Sequence, residues 1–113
     1  MQVTLYWLCL RPMEQNYKAF VHLTDDAGNL RAQHDGDPVY GFTPTTRWLP
    51  GEIVVDRHDI VFPADLPPGR YSLLAGLYEF TTVRNLVPLD DEEAKRLGNR
   101  MRLGEVTISP RRQ

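Results

Sequence analysis

With 113 residues and a mass of 13.0 kDa, the chain has room for one domain. Its 42% apolar and 25% charged residues, at a formal charge of −2, suit one modest core and exclude a disordered chain, a collagen-like repeat and a strongly basic nucleic-acid binder. A single cysteine, Cys9, excludes a disulfide scaffold, and nine prolines with eight glycines favour short strands over helices of about 11–12 residues.

In chain order, residues 3–10 (VTLYWLCL) read as the first strand, apolar on both faces and so buried on one side and partly covered on the other. The stretch is too short to cross a bilayer, which takes about 20 apolar residues. Strand-like sequence this close to Met1 leads to the expectation that the chain begins inside a longer protein. Proline has no N–H for a ladder, so Arg11-Pro12 ends the strand. Residues 17–24 (YKAFVHLT) form the second strand, 25–29 (DDAGN) a hairpin turn and 30–34 the returning strand.

Residues 35–46 read as a long irregular loop, which either function or ordered packing must explain. A turn at 47–52 leads to a fourth strand at 53–62, and 63–69 (PADLPPG) connects to a fifth at 70–79. A short sixth strand is expected at 85–89 and a seventh at 101–109, with 110–113 as a tail. The one helix candidate is 90–97, with acids leading, Lys95-Arg96 following and Gly98-Asn99 as the stop. About seven strands separated by turn signals predict an all-β, immunoglobulin-like antiparallel sandwich over 1–109. Tyr71, just after Pro67-Pro68-Gly69, matches a tyrosine corner, whose hydroxyl bonds back to nearby backbone.

Two His/Asp clusters, His34-Asp35-Gly36-Asp37 and Asp56-Arg57-His58-Asp59, are the first candidates for chemistry. Zinc takes three or four Cys- and His-rich ligands, whereas the chain has three histidines in all; Asp and Asn in turns more often bond their own backbone. A small metal-dependent enzyme on these clusters is the remotest reading. No activated serine, phosphate loop or EF-hand spacing occurs, so neither catalytic residues nor a cofactor is expected.

A carbohydrate surface is the better candidate. Sugars stack on aromatic faces while polar side chains bond their hydroxyls, and the long loop offers Tyr40, Phe42 and Trp48 beside His34, Asp35, Asp37 and Arg47. Trp48 also reads as a plug over one end of the core. Basic residues after position 94 are largely offset by Asp90-Asp91-Glu92-Glu93, so nucleic acid is not an expected partner; lipid headgroups or a neighbouring domain stay open.

Four phrases together carry a resemblance: LYW at 5–7 with YKAFVHL at 17–23, QHDGDP at 33–38, PTTRWLPGE at 44–52, and LPPGRY at 66–71 running to Gly76-Leu77-Tyr78. Over residues 3–109 the chain resembles the C-terminal soluble domain that follows the membrane spans of bacterial polytopic proteins similar to dolichyl-phosphate-mannose-protein mannosyltransferases. The resemblance implies a non-catalytic, extracytoplasmic accessory module, whose transferase chemistry lies in a membrane portion outside these residues. The stretch at 90–100 departs from the family's shorter connection. An independent carbohydrate-binding module is the alternative. Expected partners are the rest of a longer membrane protein or a glycan, and the edge strand 3–10 can pair with a second chain. Trp7, Phe20, Trp48, Tyr71 and Leu77 are the expected core, each burial worth roughly 1.5–3 kcal/mol. Asp56 is expected to bond loop backbone.

Overall fold

The computed structural model describes residues 1–38, 44–79, 82–87 and 91–110. Seven strands among them form two antiparallel sheets packed as an all-β sandwich. β1 (Gln2–Leu8) and β4 (Ile53–Asp59) make one layer; β3 (Leu30–Gly36), β2 (Tyr17–Thr24) and β5 (Gly69–Glu79) lie side by side in the other. The free edge of β5 is shared end to end by β7 (Met101–Ile108), along Gly69 to Ala75, and β6 (Arg84–Asn85), opposite Tyr78 and Glu79. A short helix, α1 (Glu92–Arg96), is capped by the Asp91 carboxylate, which accepts from Ala94 N–H at 2.9 Å.

The period of two in each strand decides what meets between the layers. Val3 and Leu5 of β1 face Val21 and Leu23 of β2 and Tyr71, Leu73 and Ala75 of β5, with Ile60 completing the cluster. A second cluster of Trp48, Cys9 and Val54, with Trp7 against it, closes one end. Thr45 anchors that plug: its buried hydroxyl donates to the Gln15 carbonyl and accepts from Tyr17 N–H. At the other end the Tyr71 hydroxyl donates to the Pro67 carbonyl, the tyrosine corner expected of the LPPGRY phrase.

Several boundaries differ from the sequence reading. β3 runs on to Gly36, because residues 35 and 36 still find ladder partners in Phe20 and Ala19 of β2; the long connection is therefore shorter than 35–46. β4 stops at Asp59, opposite Gln2, the first residue of β1. β6 is two residues long, and α1 occupies 92–96 of the expected 90–97. Phe20, Trp48, Tyr71 and Leu77 are buried, but Trp7 is only half-buried and Phe20 points away from the inter-sheet core. The outer face of β1 is open rather than partly covered, with Tyr6 and Leu8 exposed.

Candidate functional site

Two constellations of polar side chains occupy opposite faces of the same sheet, and β3 contributes to both. Gln33 and Asp35 point outward while His34, between them, points in.

The outer constellation is a groove of ≈ 350 Å³ lined by Phe20, His22, Gln33, Asp35, Tyr78, Val83 and Asn85. Strand register brings these together in rows: Gln33–His22–Leu74, Asp35–Phe20–Gly76 and Lys18–Tyr78–Asn85. Phe20 is its floor, and the absence of a side chain at Gly76 makes room for the ring. A Cβ on Gly76 would stand 2.5 Å from Phe20 Cζ. The His22 ring lies 4.5 Å from the Phe20 ring and the Tyr78 ring 6.1 Å from it, centroid to centroid. The segment between α1 and β7 lies beside these residues. Its Asn99 carbonyl comes close over Gly76, and its Gly98 carbonyl accepts from Asn85 Nδ2 at 2.9 Å.

Charge in the groove is finely set. Arg100 Nη1 donates to His22 Nδ1 at 3.3 Å, which leaves Nε2 to carry the imidazole proton. Burial, then the Arg100 cation, hold His22 below its ordinary value of 6.5, while Asp35 acts in the opposite sense. Burial raises the Tyr78 phenol above its usual value, and the nearby Asp35 and Asp37 carboxylates add to this, Asp35 as hydrogen-bond acceptor too. The groove thus presents neutral donors, one carboxylate and aromatic surface, an arrangement suited to hydroxyl-rich ligands rather than to an anion.

The inner constellation is buried. Asp56 and His58 are each 1% exposed, and Asp56 Oδ2 accepts from His58 Nε2 at 2.7 Å and from Trp7 Nε1 at 3.2 Å. Across the layers His58 Nδ1 lies 2.9 Å from His34 Nδ1, with the rings edge to face. A carboxylate only accepts, so His58 carries its proton on Nε2; when both rings are neutral, His34 Nδ1 must then donate to His58. Asp56 therefore holds side chains of β1 and β4 and, through His58, reaches β3. The two His/Asp clusters do meet here, yet among the described residues no group of three or more side chains is placed to hold a metal ion.

Of the described residues expected to form a ligand surface, Asp35 lines the groove, with Asp37 near enough to act on Tyr78. His34 belongs to the inner network. Trp48, 2% exposed with its ring 6.4 Å from that of Trp7, offers no stacking face. Arg47 is exposed at the end of a 3-10 turn, away from the groove. Tyr40 and Phe42 lie outside the described residues. Sequence reasoning missed His22, Gln33, Tyr78 and Asn85, because each sits in a strand whose polar positions look like ordinary solvent-facing ones. The available signal was the shared parity of Phe20 with His22 and of Gln33 with Asp35. Among the described residues no helix is long and apolar enough to cross a membrane. No family model matches the chain, and no curated protein or solved structure is found to match it.

Proposed function

We propose that the chain is a non-catalytic binding module that seats a carbohydrate in the outer groove. The observation that carries this reading is the convergence of Tyr78 and the Phe20 floor with His22, Gln33, Asp35 and Asn85 in one open concavity. Few convergent polar groups around aromatic surface is the general form of a small-molecule site. A sugar ring laid against Tyr78 would find acceptors in Asp35 and donors in His22, Gln33 and Asn85. Two of these residues, Gln33 and Asp35, belong to the QHDGDP phrase of the family resemblance. That resemblance supports the wider reading of an accessory module on the extracytoplasmic face of a bacterial membrane glycosyltransferase-like protein, positioning the enzyme or its glycan.

Backbone amide shifts on titration with a panel of mono- and oligosaccharides test the site. The expected result is shifts clustered at residues 20–22, 33–35, 78 and 85, lost in Asp35→Ala and Tyr78→Ala. Silence across the panel, or shifts gathered elsewhere, overturns the groove as a sugar site. Membrane spans encoded upstream of Met1 in the same reading frame are expected for the accessory module. A secretion signal alone there favours the independent carbohydrate-binding module.

A further inference from the structure

The β1–β4 layer has only two strands, so its outer face has no covering layer among the described residues. Its pairs change character along the strands. Gln2 opposite Asp59 and Thr4 opposite Arg57 make one half polar, while Tyr6 opposite Val55 and Leu8 opposite Ile53 make the other half apolar. Exposures of 71% for Tyr6, 57% for Leu8 and 63% for Ile53 are far above what a covered strand shows. With Val55, 43% exposed, these side chains form two adjacent cross-strand pairs of one apolar patch. An exposed apolar patch of neighbouring side chains on a small domain marks an interaction surface.

We propose that this face docks on the same face of a second copy of the chain, forming a two-fold dimer with the β1–β4 sheets stacked. The apolar half carries no charge, so two copies can close over it without burying one. In a two-fold contact whatever residue touches a second is touched by that second in return. Arg57 and Asp59, opposite charges two positions apart on the same face of β4, can pair reciprocally at the rim of such a contact. Stacked sheets sit about 10 Å apart, a spacing that Leu, Ile and Tyr side chains fill. The groove lies on the far side of the sandwich, so the dimer would present two grooves outward. The inference stands independently of what the groove binds.

Sedimentation velocity from low micromolar to about 100 µM protein reads the outcome directly. A concentration-dependent dimer is expected, weakened at least about tenfold in Leu8→Asp and in Ile53→Asp and unchanged in Leu103→Asp, an exposed apolar position on β7 outside this face and outside the groove lining. Far-ultraviolet circular dichroism and a melting curve confirm that each variant is folded. A monomer throughout the range overturns the proposal. So does a dimer that survives both Leu8→Asp and Ile53→Asp, which would assign association to a strand edge. A monomer that floats with phosphatidylcholine vesicles also overturns it and assigns the face to a lipid surface.

Discussion

The two faces of the β3–β2–β5 sheet are built from alternate residues of the same strands, yet they solve opposite problems. On the inner face the small and branched side chains of Val21, Leu23, Leu73 and Ala75 are sealed under β1 and β4, and the polar side chains there are tied to one another. Among the described residues no second sheet lies over the outer face. Phe20 is nevertheless 2% exposed, because Gly76 lets its ring lie close to the sheet, against the rings of His22 and Tyr78. The inner face spends its polar groups on order; the outer one leaves Gln33, Asp35, Tyr78 and Asn85 lining an open groove. Position in the sandwich, more than residue type, separates a histidine tied into a buried network from one lining an open groove.

The sharpest way to break this contrast is Asp56→Ala. It leaves Trp7 Nε1 and His58 Nε2 as buried donors without this acceptor, and by the cost of breaking a buried pair the variant is expected to lose about 3–5 kcal/mol in urea unfolding. An outer-face change of similar size at Asp35, Asp35→Ala, is expected to stay within about 0.5 kcal/mol, because the side chain is exposed. Equal losses at the two aspartates would erase the distinction between the faces.

Gly76→Ala comes next. Its methyl group must displace the Phe20 ring, an overpacking cost of about 1–3 kcal/mol that also reshapes the groove floor. Thermal unfolding and the amide shifts of Tyr78 and His22 check both parts. Tyr71→Phe removes the hydroxyl that the Pro67 carbonyl accepts and is expected to cost about 0.5–1.5 kcal/mol, measured by the denaturant midpoint, with the groove shifts untouched.

The smallest effect is a pH dependence. His22 in the fold titrates below 6.5, so below that value the unfolded chain binds the proton more readily than the folded one. Stability is therefore complete above 6.5 and falls as pH drops toward the folded value. Unfolding of the native chain and of His22→Gln, compared between pH 7.5 and lower pH, should show the native chain losing more. A parallel decline in both would remove His22 from the account.

Legibility in the sequence followed the range of the forces involved. The hairpin at 25–29 is local: Asp25 Oδ1 accepts from Ala27 and Asn29 N–H, and these bonds, the Asn29 backbone bond foremost, lower its carboxyl from the ordinary value. The tyrosine corner spans four residues and was equally readable. Helix α1 was readable from its leading acids and the Gly98 stop, though the approach of the segment after it to Gly76 and Asn85 was not. The contacts that could not be read share another trait. Asp56 meets Trp7 from 49 positions away, and His58 meets His34 from 24, so no local pattern distinguishes them from turn-forming Asp and His.

By itself the sequence determined an all-β chain with its turns, its tyrosine corner and the parity of every strand, since these follow from backbone geometry within a few residues. Parity says that His34 and Asp35 point to opposite sides; it does not say which side is dry. Only the packing of β1 and β4 decided that, by covering one face of β2, β3 and β5 and leaving the other to Gly76, Phe20 and the 98–100 segment. Burial is a property of what lies above a sheet, and here that layer comes from residues distant in the chain.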